Sequence, residues 1–167
     1  MDTTTVNDTR RDDATYAIYL SLHATQAAYP RKTLRVVLSE LMYADPSAWR
    51  AVGITRAALA AYYRAGKKRL TGIQRAHLTD RKDMVEHILN REYPLSQHDL
   101  FSYWRNTDRS VIALTGENLS NALGEWIPFD NIDAKYFPPA PIGFKYRPAI
   151  EGDLVRVLWE QFMRAHA

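Results

Sequence analysis

The sequence predicts a mainly α-helical fold, a helical bundle that contains a helix-turn-helix and continues into a less regular C-terminal part. Up to about residue 105, apolar side chains recur at the spacing of amphipathic helices between turn signals. Between residues 126 and 148, five prolines alternate with aromatic residues, and that density of proline interrupts helices and central strands. We therefore expect a disordered tail at 1–13, a helical helix-turn-helix region at 14–91, and a region for dimerisation or partner contact at 92–167, with room there for a short strand pair.

The composition is that of an ordinary globular protein. The 167 residues suffice for one domain or two small ones, and 46% of them are hydrophobic while 25% are charged. The absence of cysteine excludes disulfides, thiolate metal sites and a cysteine nucleophile. The apolar runs are far shorter than the ~20 residues that span a bilayer, and the polar N-terminus lacks the apolar core of a signal peptide. We expect a cytoplasmic protein without membrane association.

The first helices follow from their apolar stripes. Residues 14–25 carry small and apolar side chains on one helical face, and Pro30 ends this helix because proline disfavours the α region for the preceding residue. Residues 34–42 form a second and cleaner stripe. A very short helix should follow, since Asp45 can cap it, a proline comes next, and Gly53 stands just past its end.

The remaining elements are bounded by caps and glycines. Thr55 caps an alanine-rich helix that stops at Gly66. Two further helices are predicted at 79–93 and 96–104, the second with a near capping box at its start. Residues 109–116 predict a short strand, and an amphipathic helix closes the chain.

The segment around Gly53 has the pattern of two short helices joined by a tight turn. The turn residue in such a motif must adopt positive φ, which glycine does readily. In the stretch "WRAVGITRAALAAYYRAGKKRLT", Gly53 takes the turn position, Ile54 follows as an apolar plug, and Thr55 caps the second helix. This pattern resembles the phage-repressor (Cro-like) helix-turn-helix family over roughly residues 34–89. The resemblance implies that the second helix recognises DNA in the major groove.

Two features depart from that family pattern. Trp49 stands one turn before the glycine, where the family has a small residue because the two helices touch there. The outward face of the second helix carries few side chains that can hydrogen-bond base edges. The alternative interpretation is that Gly53 ends a helix in an all-helical core.

Positive charge is concentrated in the middle of the chain. Residues 50–91 hold ten Lys/Arg against three Asp/Glu, whereas the whole chain has a net charge of +3. Such a cluster is expected of a surface that binds a polyanion, although a solvated basic face would give the same count. The run "GKKR" after the predicted recognition helix would lie at the phosphate backbone and supply affinity without sequence specificity. The predicted DNA-binding residues are Thr55, Arg56, Ala57, Ala60, Arg64, Lys67, Lys68, Arg69 and Arg75.

The segment 126–148, called the strap below, is rich in both proline and aromatic side chains. Its aromatic content argues against disorder, so it should lie on the core or grip a partner. Aromatic and arginine side chains dominate the energetics of protein interfaces. The predicted partner-interface residues are Trp126, Phe129, Tyr136, Phe137, Phe144, Tyr146 and Arg147.

The sequence carries no recognisable catalytic or cofactor-binding pattern. Its five histidines are scattered and form no i, i+4 ligand pair, so we expect no metal site. Seven thinly spread glycines provide no phosphate loop, and no serine stands in a nucleophile-elbow context. Asp130 and Asp133 could form a carboxylate pair, but turn hydrogen bonding is the commoner role of aspartate in such a segment. We therefore expect neither enzymatic activity nor a cofactor.

Two functional hypotheses follow. The first is a transcriptional regulator that binds double-stranded DNA with full or partial sequence specificity. It would act as a homodimer, because one helix with few base contacts gives little specificity. The second is a non-enzymatic protein-interaction module, an inhibitor or adaptor of the kind carried by phages or mobile elements. It would use the basic face and the strap against a protein partner.

Overall fold

The computed structural model describes residues 3–66, 68, 70–119, 123–129, 136–137 and 147–165, and the structural statements below concern those residues. In chain order the regular elements are α1 (Thr3–Ala24), a 3₁₀ turn (Gln26–Ala28), α2 (Arg31–Tyr43), β1 (Arg50–Thr55), α3 (Arg56–Ala65), β2 (Ile73–His77), α4 (Arg81–Leu89), α5 (Gln97–Thr107), β3 (Arg109–Leu114), α6 (Thr115–Leu119), β4 (Trp126–Pro128) and α7 (Pro148–Ala165). The described residues thus contain seven α-helices and four β-strands.

The expected mainly α-helical bundle is wrong. The described residues form seven α-helices together with a four-stranded mixed sheet that includes a parallel pair, so the fold is α/β. The helices predicted at 34–42, 79–93 and 96–104 are confirmed as α2, α4 and α5, and the strand predicted at 109–116 is confirmed as β3. The first helix begins at Thr3, inside the segment predicted to be a disordered tail.

The residues group into two units that interleave in sequence. The first, called the helical unit, comprises Met1–Pro46 and Thr79–Thr107. The second, called the sheet unit, comprises Ser47–Leu78 and Asp108–Ala167 and contains all four strands. This division does not follow the predicted boundary near residue 91.

The helical unit is built from α1, α2, α4 and α5 around one apolar core. Leu34, Leu38 and Met42 come from the predicted stripe on α2 and are fully buried. They lie in one cluster with Tyr19 of α1 and Trp104 of α5. The other buried members of this cluster are Met84, Val85, Ile88, Leu89, Leu100 and Phe101. Helical periodicity identifies the buried face of α2. On α1 the predicted face is wrong: Ala14, Ala17, Ile18 and Ser21 are exposed, and the buried side chains are those of Thr15, Tyr19 and His23.

The sheet has the strand order β2–β3–β1–β4. The central strands β1 and β3 are parallel, whereas β2 pairs antiparallel with β3, and β4 pairs antiparallel with β1. Val111, Ile112 and Ala113 of β3 are all fully buried, as expected for a central strand. On one face of the sheet Ile54 and Ile112 pack with Leu59 of α3, and α7 packs on α3.

Residues 50–55 form a strand where the sequence predicts the end of a short helix and a turn. The β-branched residues Ile54 and Thr55 favour this extended conformation. Gly53 does not have the positive φ that the turn of a helix-turn-helix requires. A Cβ at Gly53 would lie 2.2 Å from Cε3 of Trp126, so glycine is needed for the close approach of β4. The predicted helix-turn-helix is therefore replaced by strand β1, which leads directly into α3.

Candidate polyanion-binding surface

Positive charge is concentrated on the sheet unit. This unit contains thirteen Lys/Arg and eight Asp/Glu, so its net charge is +5, whereas that of the helical unit is −2. Among its described residues, seven cations and three acids are exposed. Two of those acids are paired, Glu125 with Arg56 and Glu160 with Arg156. The exposed cations that form no ion pair within the described residues are Arg50, Arg64, Lys68, Arg109 and Arg164.

Helix α3 places two of these cations at its C-terminal end. Arg64 lies exposed in the last turn, and Lys68 is exposed in the loop that follows. Positive charge is favourable there because the carbonyl groups at the end of a helix carry partial negative charge. Because both side chains are exposed, they are available to an anionic ligand. The predicted contacts Lys67 and Arg69 lie outside the described residues.

Arg56 is exposed but engaged within the sheet unit. Its Nη1 lies 2.8 Å from Oε2 of Glu125, and its guanidinium carbon lies 4.5 Å from the ring centroid of Phe162 in α7. A contact with a base edge would require both interactions to be released. On the same helix Ala57 is exposed and Ala60 is half-buried, and neither side chain can form a hydrogen bond. This face of α3 therefore offers little that could distinguish base sequences.

Thr55 is buried at the junction of β1 and α3. Its hydroxyl accepts a hydrogen bond from the amide of Ala58 at 3.2 Å, as an N-cap, and donates to Oε2 of Glu117 at 2.7 Å. The same carboxylate oxygen accepts the amide of Leu114 at 2.8 Å. Glu117 thereby joins the carboxyl ends of the two parallel strands. The hydroxyl of Thr55, a predicted DNA-binding residue, is thus used inside the fold.

Arg75 points into the interior of the sheet unit and is 8% exposed. Its Nη1 donates to the carbonyl of Trp49 at 2.9 Å, and its Nη2 donates to the carbonyl of Phe137 at 3.3 Å. Burial lowers the pKa of the Arg75 guanidinium, and the Glu151 carboxylate opposes that shift. Glu151 is itself buried and accepts hydrogen bonds from the amide of Phe137 and from Nε of Arg147, a predicted interface residue. Arg75, a predicted DNA contact, is thus part of the internal structure.

A polar cluster surrounds Trp49 at the end of the sheet where β1 and β3 begin. Trp49 has a φ of 56°, an uncommon conformation for a bulky side chain. Its amide donates to Oδ2 of Asp108 at 3.3 Å, and its carbonyl accepts from the Ser110 hydroxyl at 2.9 Å. The His77 ring lies edge-on to the indole with 3.8 Å between centroids, and its Nδ1 is 3.8 Å from Oδ1 of Asp108. These contacts fix the direction in which β1 starts.

Arg50 and Arg109 are neighbours at this same end of the sheet. They are paired in register in the parallel strands β1 and β3, so their Cα atoms are about 5 Å apart and their side chains leave the same face. Both residues are exposed. Like charges at such positions repel each other, by about 1 kcal/mol in water. Arg50 belongs to the basic segment 50–91, whereas Arg109 lies outside it in the sequence, and the strand pairing alone brings the two together.

The described strap residues lie against the core of the sheet unit. Phe137 is 3% exposed, and its ring stacks on that of Phe129 with 5.3 Å between centroids. Trp126 is half-buried, and Tyr136 packs against the same apolar cluster. These contacts explain why this part of the strap has a defined conformation, as predicted from its aromatic content. Two further predicted interface residues, Phe144 and Tyr146, lie outside the described residues.

The helical unit contains an open groove of about 760 Å³ beside α5. Its main charged group, Arg105, donates from Nη2 to Asp12 at 2.6 Å and to Asp45 at 3.0 Å. Both carboxylates belong to the same unit, so the charge of Arg105 is compensated within the fold. The groove is therefore a weaker candidate for an anion site than the surface of the sheet unit.

Two structural findings and the comparisons with known proteins bear on function. In the described part of the chain, His, Asp and Glu side chains do not come together in a group of three that could hold a metal ion. Within the same ranges, every helix is too short or not apolar enough to cross a membrane. Comparisons with known protein families, with curated proteins and with solved structures find no match to this chain. The exposed cations of the sheet unit are therefore the main indication of function.

Proposed function

We propose that the protein binds double-stranded DNA through the exposed cations of the sheet unit, mainly by contacts to phosphates. The supporting observation is the imbalance on that unit between exposed Lys/Arg and exposed Asp/Glu among the described residues. Cationic side chains that neutralise phosphates release condensed counterions, and this release supplies affinity without sequence preference.

Binding in this way uses the surface of an α/β unit instead of a helix inserted in the major groove. The inner face of α3 is buried, and Arg56 at its start is held by Glu125. Arg64 and Lys68 at the other end of α3 are exposed cations that can contact a phosphate backbone. We therefore expect little discrimination among duplex sequences.

Fluorescence anisotropy with a labelled duplex of random sequence tests this proposal. The logarithm of affinity should fall linearly with the logarithm of salt concentration, with a slope of about −0.9 for each phosphate contact. Replacing Arg64 and Lys68 together with alanine should weaken binding to every duplex alike and reduce the magnitude of the slope by about two. An absence of measurable binding at about 50 mM salt would contradict the proposal.

The matched control combines Lys32→Ala with Lys82→Ala. Both side chains are exposed on the helical unit, and the change in net charge is the same. This variant should bind duplex DNA nearly as well as the wild type. Equal losses in the two variants would show that overall charge, and not the surface of the sheet unit, determines binding.

The alternative function, a protein-interaction module, depends on an accessible strap. Phe129, Tyr136 and Phe137 instead pack in the apolar core of the same chain, so the described residues do not favour it. Dimerisation and regulation of transcription stay predictions from the sequence.

A further inference from the structure

We propose that Arg50 and Arg109 together form a binding site for a single phosphate group at the start of the two parallel strands. This inference rests on the proposed function, because a phosphate of the DNA backbone is one source of such a ligand. A terminal phosphomonoester or a free phosphate offers the same chemistry.

The two guanidinium groups originate from adjacent positions. The register pairing of Arg50 with Arg109 places their Cα atoms about 5 Å apart and both side chains on one face of the sheet. Each guanidinium is a planar fork of donors that matches two oxygens of a phosphate. Two guanidinium groups that extend from adjacent positions of the sheet can bind the oxygens of one phosphate from two sides.

The arginine pair is not neutralised within the described ranges, where neither residue forms an ion pair. Asp108 is the adjacent acid in the sequence and lies just before β3, where its side chain is only 2% exposed. Its Oδ2 accepts the amide of Trp49, and its Oδ1 faces His77. A phosphate bound between Arg50 and Arg109 would therefore replace repulsion with two charge-assisted contacts.

The backbone that carries both arginines is fixed before any ligand binds. Trp49, which precedes Arg50, is held at positive φ with its carbonyl bound by Nη1 of Arg75. The carbonyl of Arg109 accepts the amide of Leu78 at 3.0 Å, which ties the start of β3 to the end of β2. Strained residues that the surrounding structure over-determines are typical of pre-organised sites.

The edge of the sheet beside Arg50 is open in the described residues. Strand β4 pairs with β1 at Gly53, Ile54 and Thr55, beyond Arg50 along the strand. On the other side, Leu78 lies next to Arg109 and is 36% exposed. Among the described residues, no strand pairs with β1 at Arg50 on the side away from β3, so an approaching phosphate group could meet both arginines there.

The first experiment titrates inorganic phosphate into the full chain at constant ionic strength and records arginine Nε–Hε signals by NMR. Two of these signals should shift together and saturate, and they should be absent in the Arg50→Gln/Arg109→Gln variant. Loss of two charge-assisted contacts should weaken phosphate binding by more than about tenfold. The control Arg64→Gln/Lys68→Gln removes the same charge from the same unit and should leave the saturable shifts intact.

Thermal melting shows whether the variant is folded. Both arginines are exposed and repel each other, so Arg50→Gln/Arg109→Gln should melt no lower than the wild type. Phosphate should raise the melting temperature of the wild type and of the α3 control, but not that of the Arg50/Arg109 variant. Equal stabilisation of all three proteins by phosphate would overturn the proposal.

A second experiment identifies the source of the phosphate. Anisotropy is measured with one duplex in two forms, with and without a 5′-phosphate. A preference for the phosphorylated form that disappears in Arg50→Gln/Arg109→Gln assigns the site to terminal phosphomonoesters. Equal binding of both forms, weakened more in this variant than in the α3 control, assigns it to backbone phosphates.

The two proposals fail in different ways. If no duplex binds but inorganic phosphate saturates the Arg50 and Arg109 signals, the proposed function fails and the phosphate site stands. If duplex DNA binds but phosphate causes no saturable shift, and both double variants weaken DNA binding equally, the phosphate site is overturned and the proposed function stands.

Discussion

Arg75 donates a hydrogen bond from Nη1 to the carbonyl oxygen of Trp49 at 2.9 Å. Its Nη2 donates to the carbonyl of Phe137 at 3.3 Å. Among the described residues, Trp49 and Phe137 are the two non-glycine residues with positive φ, at 56° and 45°. A single buried guanidinium thus holds both uncommon backbone conformations, each of which costs about 1–2 kcal/mol in isolation.

Replacing Arg75 with methionine should lower the free energy of unfolding by about 2–4 kcal/mol. The variant keeps the apolar stem but leaves two carbonyl groups without their charged donor and Glu151 with less compensation. Urea unfolding followed by circular dichroism measures the loss. Arg64→Met is the matched control, since its side chain is exposed and its loss should stay within about 0.5 kcal/mol. Equal stabilities of the two variants would show that Arg75 does not stabilise these carbonyls.

Phe137→Ala should destabilise the protein by about 3–5 kcal/mol, because it removes a buried ring that stacks on Phe129. The molecular mass in solution should not change, since the ring packs within its own chain. A thermal melt and light scattering test the two parts separately. Val157→Ala, at a position 39% exposed on α7, should have a much smaller effect on melting. A lower mass with an unchanged melting temperature would show instead that Phe137 lies in an interface between subunits.

Gly53→Ala should destabilise the protein by about 1–3 kcal/mol through overpacking. The added Cβ would lie 2.2 Å from Cε3 of Trp126 and 2.7 Å from the carbonyl oxygen of Ile127. The cost should shrink, but not vanish, in a Trp126→Ala background, because the backbone oxygen remains; a double-mutant cycle measures this coupling. Gly116→Ala is the control, since its new Cβ would have no heavy atom within 4 Å apart from those of the adjacent residues and the backbone of its own helix. Additive effects of Gly53→Ala and Trp126→Ala would contradict the close approach of the two residues.

The stability of the helical unit should decline at alkaline pH through Tyr19. Burial raises the pKa of its hydroxyl above the usual value near 10, while the hydrogen bond from the Leu95 amide opposes the shift. Because the unfolded chain then ionises first, stability is intact below about pH 10 and falls as the pH rises towards the pKa of the folded state. Tyr19→Phe should make this decline shallower, although Tyr103, whose pKa burial also raises, retains part of it.

Melting temperatures of wild type and Tyr19→Phe between about pH 8 and 11 test this difference. At neutral pH the variant should lose about 1 kcal/mol, because the Leu95 amide no longer has the Tyr19 oxygen as acceptor at 2.8 Å. Tyr93→Phe serves as the control, since Tyr93 is 74% exposed. An identical alkaline decline in wild type and Tyr19→Phe would contradict the prediction.

The buried face of α2 could be predicted from local periodicity, whereas that of α1 could not, because its buried side chains include Thr15 and His23, which an apolar stripe does not reveal. The stripe of Leu34, Leu38 and Met42 is fully buried in α2 as expected, because a helix determines which of its own residues share a face. The strand at β3 was recognisable from a short run of apolar residues. Its partner β1 was not, since Gly53 in a sequence of this kind is equally compatible with a helical turn.

Features that depend on strand pairing could not be predicted. Nothing near Arg109 in the sequence indicates that it will stand beside Arg50, because the register of a parallel pair is set by the whole sheet. Arg75 was predicted to be a surface cation for the same reason. The carbonyls of Trp49 and Phe137, which accept its hydrogen bonds, belong to distant segments of the sequence. The candidate site was thus predictable in its charge but not in its geometry.

The interleaving of the two units also determines the order in which they can be completed during synthesis. Strands β1 and β2 leave the ribosome before α4 and α5, yet both need β3, which follows those helices. Because synthesis proceeds at about 5–20 residues per second, the apolar faces of β1 and α3 stay without their partner strand β3 for a few seconds. The helical unit is complete at Thr107, one residue before the second part of the sheet unit begins, so it can fold first. Slow translation of residues 79–107 would therefore lengthen the interval in which a newly made chain is open to aggregation or to chaperones.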